Sequence, residues 1–226
     1  MESYRLVARD MVGPQFTDVV IIFYGNDVSE IFLDTPLFDV LADSLSAFSL
    51  MRKMRRVRAV DDFMRNARSR DPHGHDDDWS FNNIKSSLQY EPDYFLKVAE
   101  PSAGSVWLFE RAFPKLIDLL ASGRPRRKIW IAVVPEATTV SEDVRRFVAG
   151  LRGALPRFGA PGSGYEKIRA LSQANGVRFI ELFTRFLEVG KGLYFVHDLH
   201  WSADGHRLAA KLIAEALTEA DRESRR

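Results

Sequence analysis

The sequence predicts an α/β fold, a three-layer sandwich in which helices cover both faces of a mainly parallel sheet. Short apolar segments alternate along the chain with longer segments of helical periodicity, the pattern of successive strand-helix units. Residues 19–24 (VVIIFY) are apolar on both faces, which is typical of a central parallel strand covered from both sides. Together these observations predict a layered domain with its sheet in the middle.

The first predicted element is a helix over residues 1–12, ended by Gly13-Pro14, and the strand over residues 19–24 follows it. The later elements are again helices and strands. In chain order they are a helix over 106–121, a strand over 128–134, a helix over 141–151 with Ser141 as N-cap, a helix over 165–175 closed by Gly176, and a strand over 177–182.

The last helix has the clearest pattern, because Leu208, Leu212 and Leu217 belong to one apolar face that begins after Ser202, its predicted N-cap. The periodicity is weak over residues 36–104, apart from a helix predicted near residues 37–57. We therefore predict one domain over residues 1–226, with 36–104 as an insertion or lid over the sheet.

The composition excludes several classes of partner and site. Lys and Arg number 32 against 31 Asp and Glu, so no net field draws the chain to nucleic acid. Without cysteine there is no disulfide and no thiolate nucleophile. No apolar segment approaches the ~20 residues of a membrane-spanning helix. The basic residues near 51–58 could still reach an anionic membrane surface, or could form a solvated helix end. The cellular location stays open.

Gly25-Asn26-Asp27 directly follows the first strand, where parallel sheets bind their ligands. The amide of Asn26 is suited to donate to a developing oxyanion, and Gly25 lets the backbone approach a substrate closely. Asp27 is a candidate substrate contact. The alternative is ordinary turn chemistry, in which Gly, Asn and Asp are common for conformational reasons.

A second candidate site precedes the last helix, at His197-Asp198-Leu199-His200-Trp201. In an Asp-x-His spacing the carboxylate of Asp198 can accept the Nδ1 proton of His200, which leaves Nε2 free as a general base. A helix-entry loop with polar caps is the structural alternative. The cluster His73-Gly74-His75-Asp76-Asp77-Asp78 has metal-ligand residue types, but no predicted element fixes its geometry, so we predict no metal there.

Two segments resemble conserved blocks of the SGNH (GDSL-like) hydrolases and acyltransferases, namely VVIIFYGNDVSEIF and DLHWSADGHRLAAKLIAEAL. The resemblance is nearest to bacterial envelope-polysaccharide acetyltransferase-like members. It implies an oxyanion role for Asn26 and Gly25, a general base at His200 and an orienting carboxylate at Asp198. It gives His206 a supporting role, and His197 is a further candidate substrate contact. The substrate class would be a small-molecule or carbohydrate ester, with no cofactor.

The family's nucleophilic serine motif and its preceding strand have no counterpart here, so we expect an amino-terminally truncated domain whose nucleophile is unknown. Ser163 is the least unlikely serine of the chain, although its surroundings have ordinary turn composition. The alternative function is a catalytically inactive module that binds a glycan or a protein. A nucleotide binder of similar architecture is disfavoured, because no glycine-rich phosphate loop follows any strand.

Overall fold

The computed structural model describes residues 17–29, 88, 92–122, 127–151, 153–197 and 199–224. Within them, three strands form one parallel sheet in the order β1 (Asp18–Phe23), β2 (Lys128–Val133) and β3 (Arg178–Ile180). The register pairs Phe23 with Val133 and Ala132 with Ile180, so the carboxyl ends of the three strands meet at one edge. The predicted α/β fold with a parallel sheet is confirmed.

The helices of the described residues follow the predicted alternation. They are α1 (Asn26–Ser29), α2 (Tyr94–Ala99), α3 (Ala103–Ala121), α4 (Ala137–Val140), α5 (Glu142–Gly150), α6 (Ser163–Ala174), α7 (Phe183–Val189) and α8 (Ala203–Ser224). The helices α3, α5 and α6 agree with the predicted bounds to within about three residues, and α8 begins directly after the predicted cap at Ser202. The helices α1, α2, α4 and α7 were not predicted, because segments of four to seven residues are too short to show a helical period.

The core lies around β2, where residues 129–133 are all buried, as a strand covered on both faces requires. One wall is aromatic, since Phe23 of β1 packs against Phe109 and Phe113 of α3 at ring-centroid distances of 5.6 and 6.1 Å. All three rings are fully buried, and burial of a phenylalanine stabilises a fold by roughly 1.5–3 kcal/mol. This packing fixes the end of β1 relative to the helices.

Helices α3 and α6 contact each other and β2, and α6 and α8 contact β3. The N-cap Ser102 accepts a hydrogen bond from Ser105 N at 3.2 Å, which begins α3. Ser141 stands at the N-cap position of α5 as predicted, but its buried side chain makes no capping hydrogen bond. The predicted position of the N-cap is therefore confirmed, but the predicted capping hydrogen bond is not formed.

Several predictions fall on residues outside the described part of the chain. These are the helices near 1–12 and 37–57, the basic residues near 51–58, the cluster of residues 73–78, and most of the insertion over 36–104. In the described ranges, each helix is too short or too polar to cross a membrane.

Candidate active site at the carboxyl edge of the sheet

The turn after β1 is closed by a reciprocal pair of hydrogen bonds. Asp27 N donates to Tyr24 O at 3.0 Å, and Tyr24 N donates to Asp27 Oδ2 at 2.6 Å. One carboxylate oxygen of Asp27 thus serves the turn itself, as the turn interpretation of Gly-Asn-Asp expects. A substrate contact through Asp27 stays a prediction.

Gly25 packs closely against side chains of two neighbouring segments. A Cβ at this position would stand 2.7 Å from Glu136 Oε1 and 3.3 Å from Val98 Cγ1. The backbone of the turn therefore packs directly on the end of β2, and Asn26 begins α1 at the next residue. The neighbour of Gly25 in the structure is a protein carboxyl group, and its close approach to a substrate stays a prediction. The orientation of the Asn26 amide stays a prediction.

Glu136 follows β2 at the same edge and is the site residue that sequence analysis missed. Its side chain is buried, and neither carboxyl oxygen has a hydrogen-bond partner in the part of the chain that the structure describes. Burial raises the pKa of Glu136 to about 7, with a smaller contribution from the negative charge of Glu100. A signal was available, because Glu136 ends the apolar run IAVVP of a predicted central strand.

The loop over residues 194–201, here called the histidine loop, begins at the same edge. Tyr194 Oη donates to Pro135 O at 2.7 Å, which joins the loop to the residue before Glu136. Tyr194 and Trp201 form an antiparallel bridge, and Phe195 N donates to His200 O at 2.9 Å. The histidine loop is therefore a closed turn anchored on the end of β2.

Leu199 has a positive φ of 63°, which no other non-glycine residue of the described ranges adopts. A left-handed conformation costs a branched residue roughly 1–2 kcal/mol. The hydrogen bond from Leu199 N to Phe195 O, 2.7 Å long, helps to hold this conformation. Such strain concentrates at functional sites. It occurs here between Asp198, which lies outside the described residues, and His200, whose side chain is exposed.

The junction with α8 explains why serine and glycine follow the histidine loop. Ser202 Oγ accepts from Gly205 N at 3.2 Å, so the predicted N-cap is confirmed. A Cβ on Gly205 would stand 2.2 Å from Leu193 O, which excludes any larger residue. The ring of His206 packs edge-on against Trp201 at 5.5 Å, in keeping with its expected supporting role.

The remaining predicted residues contact other elements of the fold. The exposed His197 stacks on Phe147 of α5 at a ring-centroid distance of 4.9 Å. Ser163 begins α6, and its hydroxyl donates to Ala99 O at 3.4 Å. Across the described ranges, no group of three or more acidic or histidine side chains could hold a metal ion.

The structure thus brings three segments to one edge of the sheet: the Gly25 turn, the Pro135-Glu136 segment and the start of the histidine loop. The Gly25 turn contacts Glu136, and Pro135 contacts the histidine loop through Tyr194. An encounter between the Asn26 amide and the His200 imidazole stays a prediction.

Residues 127–225 match the model of a family described as the SGNH hydrolase-like domain of the acetyltransferase AlgX. The match covers β2, Glu136, the histidine loop and all of α8, whereas β1 and the Gly25 turn precede it. No curated protein and no solved structure matches the chain.

Proposed function

We propose that the protein transfers acyl groups at ester bonds, because residues 127–225 match the model of an SGNH hydrolase-like family. The family is of the esterase and acyltransferase type. In the proposal, His200 is the general base, Asp198 orients its imidazole, and the Asn26 amide with the Gly25 backbone stabilises the oxyanion. Asp27 and His197 contact the substrate. The nucleophile is a serine that remains to be identified.

The proposed reaction has two steps. First, His200 Nε2 takes the proton of the serine hydroxyl while Oγ attacks the ester carbonyl, and the resulting oxyanion receives the hydrogen bond of Asn26. The carbon–oxygen ester bond then breaks, and the alcohol leaves with the proton from His200. Second, water or a sugar hydroxyl gives its proton to His200 and takes the acyl group, and His200 returns that proton to the serine Oγ as the acyl–oxygen bond breaks.

One observation carries the proposal: Tyr194 anchors the histidine loop to Pro135, next to the residue that packs on Gly25. Because the strands are parallel, the turn after β1 and the segment after β2 share one edge, where α/β folds bind ligands. The strained Leu199 beside His200 adds support, because strain is retained where function requires a particular geometry.

The substrate we propose is an acetyl ester of a carbohydrate. The description of the matched family as that of an acetyltransferase favours an acetyl group. The same histidine and oxyanion donor serve hydrolysis and transfer, which differ in whether water or a sugar hydroxyl enters the second step.

His200→Ala tests the proposal through the hydrolysis of p-nitrophenyl acetate. Removal of a general base should lower kcat/KM by roughly 10²–10⁴-fold. The matched control is His206→Ala, which removes an exposed imidazole six residues away and should change the rate only a few-fold. Equal rates in the wild type and His200→Ala would exclude His200 from the mechanism.

An alkyl fluorophosphonate identifies the missing nucleophile, because this reagent bonds covalently to serines that a histidine activates. Peptide mass spectrometry of the labelled protein should find one modified serine, and His200→Ala should abolish the label. Absence of both label and hydrolysis would favour the inactive binding module.

A further inference from the structure

Glu136 is an acidic side chain in a place that does not suit a negative charge. It is 9% exposed, and both of its carboxyl oxygens are inaccessible to solvent without a hydrogen-bond partner among the described residues. The hydroxyl of Thr139 donates to the backbone carbonyl of Glu136 at 2.8 Å. A buried carboxylate without a partner is costly, whereas a neutral carboxylic acid is tolerated far better.

Three segments of the fold approach this carboxyl group. The turn after β1 contributes the backbone of Gly25, and α2 contributes Val98. The titratable neighbours are Glu100, whose charge raises the pKa of Glu136, and Tyr194 of the histidine loop. Burial raises the pKa of Tyr194, and the charges of Glu136 and Tyr24 raise it further. None of these neighbours is a cation, and burial outweighs the polar contacts of the Glu136 backbone and Thr139 that lower the pKa of Glu136.

We infer that Glu136 is a positioning residue, whose neutral carboxyl group holds the Gly25 turn against the end of β2 beside the histidine loop. The catalytic use of that turn rests on the proposed function, whereas its attachment to Glu136 does not. Ionisation would place an unpartnered charge against Gly25 and beside the Tyr194 phenol. The turn would then move to admit water, which would displace the oxyanion donor.

Hydrogen–deuterium exchange of the full chain tests the attachment without any catalytic readout. In the wild type, exchange in a peptide spanning residues 24–28 should rise several-fold as the pH passes about 7, after correction for the intrinsic rate. Glu136→Gln keeps the shape of the neutral acid and should show no such rise. A peptide from the middle of α8 serves as the internal control in both proteins. Identical pH dependence of the turn in wild type and Glu136→Gln would overturn the inference.

Ester hydrolysis then separates this inference from the proposed function. Glu136→Gln should retain kcat/KM at high pH, where the wild type loses at least several-fold, and Glu136→Ala should be impaired at every pH. Loss of the high-pH decline in Glu136→Gln supports positioning, and an unchanged decline contradicts it. If His200→Ala leaves hydrolysis intact while the exchange result holds, the proposed mechanism fails and the attachment of the turn stands.

Discussion

The Gly25 turn and the histidine loop lie at the same edge of the sheet but are held by different forces. The turn packs its backbone on the buried carboxyl group of Glu136. The histidine loop is held by backbone hydrogen bonds, the Tyr194 hydroxyl and the packing of Gly205 on Leu193 O. A Cβ on Gly205 would meet a backbone oxygen, whereas a Cβ on Gly25 would meet the end of the Glu136 side chain, which can shift more easily.

This difference means that the two regions respond to different perturbations. The turn depends on the protonation state of one acid, so pH should act on it first. The histidine loop depends on fixed hydrogen bonds and close packing, so substitutions should act on it more than pH does. Three measurements test this contrast, from the largest expected effect to the smallest.

The largest effect should be a fall in the free energy of unfolding as the pH rises and Glu136 ionises. The pKa of Glu136 is raised from 4.5 to about 7, so the folded state retains a proton that the unfolded chain has released between these values. The stability that the protonated Glu136 contributes is fully present below pH 4.5 and declines between pH 4.5 and about 7. Above pH 7 this contribution is lost. The difference is about 3 kcal/mol, since one pKa unit corresponds to ~1.4 kcal/mol. Urea unfolding across this range measures it, and Glu136→Gln should show a flatter profile. Parallel profiles would show that Glu136 does not titrate in this range.

Gly205→Ala should cost about 2 kcal/mol, because the new Cβ meets Leu193 O at 2.2 Å and the backbone must shift. The matched control is Gly150→Ala at the end of α5, where nothing lies within 4 Å of the new atom. The control should be neutral or stabilised by up to ~1 kcal/mol. Chemical unfolding measures both, and equal stabilities of the two variants would contradict the packing described for the histidine loop.

Tyr194→Phe should have the smallest effect, a loss of about 1 kcal/mol for the hydrogen bond to the buried Pro135 carbonyl. Its exchange signature should be local, with faster exchange in residues 195–200. Tyr165→Phe is the control, since it removes a hydroxyl that donates to Glu181 Oε1 at 2.8 Å on another element. If both variants loosen residues 195–200 equally, Tyr194 is not a specific anchor of the histidine loop.

Sequence patterns predicted the three strands, the four long helices and the cap at Ser202, because period and capping are local properties of a segment. They also directed attention to Gly25 and the histidine loop, because both segments adjoin predicted elements. They missed Glu136. A single acidic residue after a strand is usually solvated, and its burial depends on the turn after β1 and on α2, which are distant in sequence.

By itself, the sequence determined the layered α/β order, the glycine turn after the first strand and the Asp-x-His segment before the last helix. The tertiary structure alone decided that Gly25 meets a carboxyl group and that Tyr194 ties the histidine loop to Pro135. The physical reason is that periodicity reports which face of an element is buried, whereas contacts between loops depend on how separate elements pack in space.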